Sequence, residues 1–343
     1  MTESELALRL RDYWYIAAES RALRSAPLQR TILNQHVVLF RDEAGNAAAL
    51  FDRCAHRNMR LSLGHVRNGR IECPYHGWTY ARDGACVIVP SLATEDATLP
   101  HARVDSFPTL ERDGFVWIWM GSGAPSREPF HFEHAGERGW TTFHMTTRFD
   151  ASAFACLENF LDVPHTVYVH SGWFRSRAAR LTKARVRTEP DCAVAEFDEE
   201  PERQSIVARL LFPKRGRLVH TDRFVMPSTS RVDYVFGPNR HFIITSQCTP
   251  VSEMETDVYT VITFRFGAIA PLVRLYFEPL SRRILRQDID ILREHSAQIR
   301  RFGGSRYTFA ETDLIGPRIL RLWNDAVTGR ETPPSESEVT IRF

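Results

Sequence analysis

Two cysteines and two histidines in the N-terminal third form the strongest chemical signal in this sequence. Cys54 and His56 are separated by one residue, Cys73 and His76 by two, and sixteen residues lie between the pairs. Thiolates and imidazoles are common metal ligands, and four of them suit one metal centre. The six cysteines of the chain are otherwise scattered, which does not favour a disulfide framework.

The order of these ligands distinguishes two kinds of metal centre. A structural zinc site uses the same residue types, but zinc-binding sequences usually pair like ligands together. Here both pairs are mixed, so each of two hairpin tips would give one thiolate to one iron and one imidazole to the other. We therefore expect a [2Fe–2S] cluster, with zinc as the alternative. Pro74 and Gly77 favour a tight turn beside the second pair, and His65 fits no ligand position.

A second group of candidate ligands lies in the segment ENFLDVPHTVYVH. Asn159, Asp162 and His165 are three residues apart, so they would share one face of a helix. His165 and His170 are five residues apart, which is about 140° on an ideal helix. They would converge on one metal if the helix is distorted near Pro164. Taken alone, this pattern is also compatible with ordinary polar residues on an amphipathic helix.

A third ligand is expected to be a carboxylate, because two histidines and one carboxylate leave open positions on Fe(II) for O2. The segment LSRRILRQDIDILREHSAQIRRF offers Asp288 and Asp290. At 100° per residue, Asp288 falls in the middle of an apolar stripe, whereas Asp290 points toward Arg286 and Arg293. A buried carboxylate needs a cation or a proton, so Asp288 is the better candidate. The stripe contains Ile284, Leu285, Ile291, Leu292, Ile299 and Phe302.

The elements that would position these residues differ between the two halves of the chain. Short alternating segments such as QRTILNQHVVLFRDEAGNAAALF, TYARDGACVIV and GFVWIWMG predict hairpins around the first ligand group. A loose stretch over 121–139 indicates a domain boundary. The second half begins with a strand and a helical stretch over about 152–170. It continues with β-branched strands that predict an antiparallel sheet, then a helix over 271–302 and a last helix in TDLIGPRILRLWNDAVTG.

Composition excludes several classes of protein. The chain has 343 residues, a net charge of +2 and interleaved basic and acidic residues, which does not indicate nucleic-acid binding. No secretory signal or membrane-spanning apolar run is visible. We therefore expect a cytoplasmic protein of two domains.

Taken together, the two ligand groups resemble the α (terminal oxygenase) subunit of Rieske non-haem iron oxygenases. The segment CAHR…CPYHGW resembles the family's cluster-binding motif, and the family pattern N-x-x-D-x-x-H-x4-H matches Asn159 to His170. The resemblance implies an α+β fold: an N-terminal all-β Rieske domain over 1–125, and a helix-grip catalytic domain over 126–343. That catalytic domain would have an antiparallel sheet and long C-terminal helices.

The resemblance also implies cofactors and an activity. The cofactors would be a [2Fe–2S] Rieske cluster and a mononuclear non-haem Fe(II), with electrons arriving from NAD(P)H through a separate reductase or ferredoxin. The reaction would use O2 to hydroxylate, or oxidatively O- or N-demethylate, an aromatic or polycyclic small molecule. The sequence looks most similar to single-component monooxygenases such as dicamba or vanillate demethylase and the ketosteroid 9α-hydroxylase. A ring-dihydroxylating dioxygenase α subunit is the alternative, and a Rieske electron carrier is more distant.

Two residues receive roles from the resemblance rather than from spacing. In a head-to-tail homotrimer, Asp162 would bridge His76 of one subunit and His165 of the next. Asn159 would lie near the iron.

Residues around the two ligand groups are candidates for contacts with partners and substrate. Arginines crowd the cluster segments and predict a basic docking patch for a reductase: Arg57, Arg60, Arg67, Arg70 and Arg82. Aromatic residues near the iron ligands, together with alternate residues of HFIITS, are pocket candidates; the aromatics are Trp173, Phe174, Tyr276 and Phe277.

Overall fold

The computed structural model of the chain describes residues 1–93, 101–170, 181–199, 218–237 and 240–342. It divides into two compact units. One unit comprises 11–131, and the other comprises 1–10 together with 132–343. The first ten residues therefore belong with the C-terminal two thirds of the chain, although the sequence grouped them with the cluster domain.

The unit 11–131 consists of three small antiparallel sheets. β1 pairs with β11 and β11 with β10, while β2-β3-β4-β9 and β5-β6-β7-β8 each form four-stranded sheets. The strands are β1 Trp14–Glu19, β2 Leu28–Ile32, β3 Gln35–Arg41, β4 Ala47–Phe51, β5 His65–Arg67, β6 Arg70–Glu72, β7 Thr79–Tyr80, β8 Cys86–Ile88, β9 Ser106–Phe107, β10 Thr109–Arg112 and β11 Phe115–Trp119.

The hairpins of this unit follow their sequences. Val37, Val38, Leu39 and Phe40 are fully buried in β3, and the turn at 42–46 connects it to β4. Gly84 has φ +80°, and a Cβ there would collide with the carbonyl oxygen of Val104, so the tight turn before β8 requires glycine. One apolar cluster packs Val38, Phe40, Leu50, Leu61, Ile71 and Tyr80 against both buried cysteines of the first ligand group.

The other unit contains one eight-stranded antiparallel sheet in the order β12-β18-β17-β16-β15-β14-β13-β19. Its strands are β12 Thr141–Phe149, β13 Leu181–Glu189, β14 Cys192–Glu199, β15 Leu218–Val225, β16 Thr229–Val235, β17 His241–Ser252, β18 Glu255–Arg265 and β19 Ser335–Arg342. The described helices are α1 Glu3–Arg9, α2 Ala153–Leu161, α3 His165–Tyr168, α4 Ala270–Arg301 and α5 Gly316–Thr328.

The long helix α4 packs on one face of this sheet. Apolar residues of β12, β16, β17 and β18 meet Val273, Phe277 and Leu280 of α4 and form one apolar core cluster of the unit. Burial of this apolar surface is the dominant stabilising term for the arrangement. The expected α+β fold, with a sheet that grips a long helix, is confirmed. Within the described residues no helix is both long and apolar enough to cross a membrane.

Candidate metal centres

The first ligand group is held by two turns of the same design. The N–H of Asn58 donates to the carbonyl of Cys54 at 3.0 Å, and the N–H of Gly77 donates to that of Cys73 at 3.0 Å. Both turns end in a left-handed residue, with φ 60° at Asn58 and 71° at Gly77. Each cysteine N–H also donates to the carbonyl five residues further on, at 2.8 Å. Asparagine and glycine tolerate this conformation, which explains the repeated local geometry.

The four predicted ligands come together at the tips of these turns. Cys54 and Cys73 are 1% and 2% exposed, whereas His76 is exposed. The rings of His56 and His76 are 4.7 Å apart, and His56 stacks on Trp78 at 4.4 Å. His56 Nδ1 is buried and has no hydrogen-bond partner among the described residues. A buried imidazole nitrogen without a partner, beside two thiols, fits a metal centre with mixed ligands.

A tyrosine hydroxyl contacts one of the two cysteine sulfurs of this centre. The hydroxyl of Tyr80 lies 3.1 Å from Cys54 Sγ. Burial first, and then the neighbouring Cys54, raises the pKa of Tyr80, so the phenol keeps its proton. When Cys54 is a metal-bound thiolate, the hydroxyl of Tyr80 is the donor of this hydrogen bond. The sequence prediction missed Tyr80, because it lies beyond the ligand segment and only strand pairing brings it back.

The second ligand group depends on a break in the helix. Ser152 caps the start of α2, which ends at Leu161, and α3 begins at His165. Asp162 has an extended backbone between them. The helical stretch predicted over about 152–170 is thus present as two helices, and the Asp162–Pro164 segment separates them because proline disfavours a helical residue before it. The distortion near Pro164 that the histidine spacing required is present.

The break brings His165 and His170 to one carboxylate. His170 Nε2 lies 3.0 Å from Asp288 Oδ1, and His165 Nε2 lies 3.8 Å from the same oxygen. One donor atom of each residue lies within 4.8 Å of the others. Asp288 is 6% exposed, and its Oδ1 makes no hydrogen bond of good geometry with any described residue. Two imidazoles whose Nε2 atoms face one buried carboxylate oxygen fit a divalent iron.

The other nitrogen of each imidazole is occupied. His170 Nδ1 lies 2.9 Å from Gln287 Oε1, and His165 Nδ1 contacts the carbonyl of Asp162. Because both partners are acceptors, each Nδ1 carries the proton and each Nε2 is left for a metal. Burial lowers the pKa of His165. Burial also lowers the pKa of His170, but the contact with Asp288, the negative charge of Asp288 and the hydrogen bond to Gln287 together outweigh burial and raise the pKa overall.

Helix α4 separates the two aspartates as its periodicity predicts. Asp290 is 72% exposed in its side chain and pairs with Arg293 at 3.1 Å. The apolar stripe around Asp288 is narrower than expected, because Ile291 and Phe302 are 46% and 76% exposed. The residues of α4 that are buried follow a single line along the helix: Ala270, Val273, Phe277, Leu280, Asp288, Leu292 and Ser296.

Asp162 and Asn159 lie beside the candidate iron site of His165, His170 and Asp288. Asp162 Oδ2 accepts a hydrogen bond from the backbone N–H of His165 at 3.2 Å. Burial raises the pKa of Asp162 to about 6. Asn159 is 7% exposed, and its Oδ1 has no partner among the described residues.

A cavity of about 150 Å³ opens beside the three donors. Phe277 lines it, as do Phe242, Ile244 and Ser246 of the segment HFIITS. Tyr276 does not, because it is one residue and about 100° around α4 from Phe277, and it is 40% exposed. Trp173 and Phe174 lie outside the described residues. The remaining lining residues are Met145, Asn159, Phe160, His165, Thr166, His170, Ser230, Val232, Tyr234, Thr260, Ile262, Ser281, Ile284, Leu285 and Asp288.

The arginines near the cluster site are partly neutralised. Arg67 pairs with Glu72, Arg70 with Glu43 and Arg82 with Asp42. Arg57 and Arg60 are exposed and have no acidic partner among the described residues. The net basic charge of the predicted patch is therefore smaller than its five arginines indicate.

Two family models match the chain in order. The Rieske [2Fe-2S] domain model matches residues 13–108, and the vanillate O-demethylase oxygenase C-terminal domain model matches residues 149–328. The second match covers more than half of the chain and contains His165, His170 and Asp288.

Several curated proteins are similar to part of the chain. It is 37% identical over 163 residues to a putative toluene-4-sulfonate monooxygenase system iron-sulfur subunit of Comamonas testosteroni, covering 47% of this chain and 46% of that protein. It is 37% identical over 164 residues to the oxygenase component of dicamba O-demethylase of Stenotrophomonas maltophilia, covering 47% and 48%. The matched stretch thus spans about half the length of these curated relatives.

A solved structure is similar over nearly the whole chain. The crystal structure of dicamba monooxygenase bound to 3,6 dichlorosalicylic acid has a TM-score of 0.81 and 25% identity, covering 93% of this chain and 98% of that one. A Rieske domain followed by a sheet that grips a long helix is the architecture of Rieske non-haem iron oxygenases. More closely, the chain belongs to the vanillate O-demethylase oxygenase family. The match of residues 13–108 to the Rieske [2Fe-2S] domain identifies the cluster as a cofactor of its N-terminal part.

Proposed function

We propose that this chain is the terminal oxygenase component of a monooxygenase system. It uses O2 and electrons from NAD(P)H to hydroxylate, or oxidatively O- or N-demethylate, an aromatic small molecule. The observation that carries this proposal is the group His165, His170 and Asp288 facing a mostly apolar cavity. A Rieske electron carrier would have no use for such a cavity, so the carrier is the weaker candidate.

The residues assigned to the two cofactors are part of the proposal. Cys54, His56, Cys73 and His76 would hold the [2Fe–2S] cluster. His165, His170 and Asp288 would hold the iron. In support, the donors of each set converge, and each set contains a buried polar atom without a partner among the described residues.

The bound iron supplies reductive activation of O2, since two histidines and one carboxylate leave coordination positions open. In the overall reaction a C–H bond, O2, two electrons and two protons give a C–OH group and water. On an O- or N-methyl group the hydroxylated carbon leaves as formaldehyde, and the oxygen or nitrogen keeps the proton.

The chain's own residues prepare this chemistry. Gln287 and the carbonyl of Asp162 fix the tautomer and orientation of the two imidazoles. The apolar walls of the cavity exclude bulk water and bind the substrate by its apolar surface. Asn159 presents a buried amide oxygen to the same cavity and can position a donor group there.

Asp162 is proposed to couple the two cofactors across a subunit boundary. In a head-to-tail homotrimer its carboxylate would accept hydrogen bonds from His165 and from the neighbour's His76. Three features support this role: His76 is exposed, Asp162 terminates α2, and Asp162 Oδ2 lies 3.7 Å from His165 Nδ1. The trimer itself and a cytoplasmic location remain predictions.

The electron donor is proposed to be a separate reductase or ferredoxin. Arg57 and Arg60, which keep an unpaired charge near the cluster turns, would contribute to its docking by electrostatic steering. Transfer rates should then fall as ionic strength rises.

Oxygen uptake tests the proposed function directly. The purified protein, a surrogate reductase and NADH are incubated with a panel of aromatic, methoxy-aromatic and steroid compounds. Substrate-dependent uptake matched by hydroxylated product or formaldehyde is expected. A cis-diol product would instead identify a dihydroxylating dioxygenase, and uptake that no compound stimulates would argue for an electron carrier.

Asp162→Asn tests the coupling role within the same assay. Both cofactors should remain bound, because Asn keeps the size of the side chain and removes one acceptor charge. Single-turnover electron transfer from the reduced cluster should be lost. Transfer at the wild-type rate would show that Asp162 does not couple the two sites.

A further inference from the structure

Three hydroxyl groups form a row across the floor of the cavity. Ser230, Ser246 and Thr260 lie directly opposite one another on the neighbouring strands β16, β17 and β18. All three line the cavity, although each is no more than 4% exposed. Alternate residues of a strand point to the same face of a sheet, so the register alone places these side chains side by side.

The row is hydrogen-bonded but not saturated. Ser246 Oγ lies 2.9 Å from Thr260 Oγ1, and the hydroxyl of Ser230 donates to the carbonyl of Ser246 at 3.4 Å. Each hydroxyl has one proton to donate and two lone pairs to accept with. The Ser246–Thr260 pair uses one of its two protons internally, so it can donate the other and still accept from a guest. A buried hydroxyl left without its partners costs about 1–3 kcal/mol.

The next row of the same sheet face is apolar. Val232, Ile244 and Ile262 lie opposite one another one row further along, and Tyr234 lies opposite Phe242 in the row after that. The helices add further apolar side chains: Phe160, Phe277, Ile284 and Leu285. The sheet wall of the cavity therefore has one polar end and a largely apolar remainder.

The charged side chains that line the cavity limit which ligands it can bind. Among the described lining residues the ionisable groups are His165, His170, Asp288 and the phenol of Tyr234, and none is a lysine or arginine. Burying a carboxylate without a cation is far more costly than burying a neutral hydroxyl or carbonyl that finds hydrogen bonds. A neutral oxygen is thus the best partner for the row.

The volume of the cavity limits the size of the ligand that it can bind. The cavity measures about 150 Å³. A cavity of that volume holds a benzene-sized ring.

We propose that Ser230, Ser246 and Thr260 form the polar subsite of the substrate pocket. The subsite would hold one uncharged oxygen, a hydroxyl or a carbonyl, of a single-ring substrate. It would thereby fix which carbon of that substrate is presented to His165, His170 and Asp288. The proposal specifies the substrate class and rests on the proposed function for the identity of the pocket.

Ligand binding to the holoenzyme tests the subsite without turnover. Three probes share one ring and differ at one position: 4-methoxyphenol, 4-methylanisole and 4-methoxybenzoate. Their dissociation constants are measured by anaerobic calorimetry on the wild type, on Ser246→Ala/Thr260→Val and on the control Thr245→Val. Thr245 is buried on the same strand and does not line the cavity. Retention of three irons per chain and a thermal-unfolding midpoint near that of wild type verify that each variant is folded.

The wild type should bind 4-methoxyphenol about tenfold more tightly than 4-methylanisole, a difference of about 1.4 kcal/mol. In the double variant the two dissociation constants should become nearly equal, mainly because 4-methoxyphenol binds more weakly. In Thr245→Val the tenfold preference for 4-methoxyphenol should remain. A ratio that the double variant leaves unchanged would overturn the subsite. Tightest binding of 4-methoxybenzoate, or no binding of any probe to the wild type, would also overturn it.

The two proposals fail separately. If 4-methoxyphenol binds through the row but no compound is oxidised, the subsite stands and the oxygenase function falls. If compounds are oxidised while the binding ratio does not depend on the row, the oxygenase function stands and the subsite falls.

Discussion

The two metal centres of this protein are built in opposite ways. At the cluster site the donors come from two short turns with the same hydrogen bonds, and the histidine side is open to solvent. At the iron site the candidate donors come from the segment 165–170 and the distant helix α4, and His170 and Asp288 are almost fully buried. A local site tolerates changes elsewhere in the fold, whereas an assembled site depends on the packing that brings its elements together.

The largest expected effect is at the assembled site. Asp288→Asn removes the charged ligand, so the iron should be lost while the cluster remains. Activity should fall by more than about 100-fold, since even residues that support a ligand contribute 10–100-fold. Metal analysis should give two irons per chain instead of three, and the EPR signal of the reduced cluster should be unchanged.

Asp290→Asn is the matched control for this prediction. It makes the same chemical change two residues further along, at an exposed position that pairs with Arg293. An exposed pair contributes about 0–1 kcal/mol, so metal content and activity should stay near wild type. Equal losses in both variants would show that the carboxylate at 288 has no special role.

A smaller effect is expected for the residue that orients His170. Gln287→Leu keeps the size of the side chain and removes the acceptor of His170 Nδ1–H. Iron affinity should fall by roughly 10- to 100-fold, as for other supporting residues of metal ligands. Competition with a chelator measures it, and an affinity equal to that of wild type would refute the orienting role.

The cluster site should respond to Tyr80→Phe in potential rather than in metal content. The hydroxyl donates to Cys54 Sγ, and hydrogen bonds to cluster sulfurs set the reduction potential. A donated bond that favours the reduced form by about 1.4 kcal/mol corresponds to about 59 mV for one electron. Redox titration should show a lower potential with iron content unchanged, and the exposed Tyr75→Phe should show no shift.

An effect on stability alone is expected for Glu158, a partly buried carboxyl in α2. Burial raises the pKa of Glu158 from 4.5 to about 7. Ionising it therefore costs more in the folded than in the unfolded state, and stability falls as pH rises from about 4.5 through 7. Glu158→Gln removes this loss and should stabilise the protein at pH 8 by about 1–3 kcal/mol, with little change at pH 4.5. Thermal unfolding at the two pH values measures it; equal effects at both would contradict the titration.

The difference between the sites also explains what the sequence could predict. The cluster ligands follow from residue type and spacing, because their geometry is local. Asp288 follows from helical periodicity, which places it on the buried face and Asp290 on the exposed face. These predictions need no knowledge of how the elements pack.

Other features required the three-dimensional arrangement. Gln287 and Tyr80 act through contacts with residues far away in the chain, and neither has a spacing signal. The row Ser230, Ser246 and Thr260 exists only because the register of three strands aligns it. Ile291 and Phe302 are exposed although their helical angles match the apolar stripe, because no described element covers that side of α4.

The placement of α1 has a consequence for folding. Residues 3–9 pack against α5, although more than 300 residues separate the two helices in the sequence. A contact between segments so far apart must close a long loop, which costs conformational entropy and slows its formation. The contact between α1 and α5 is therefore expected to form after the local hairpins of the unit 11–131.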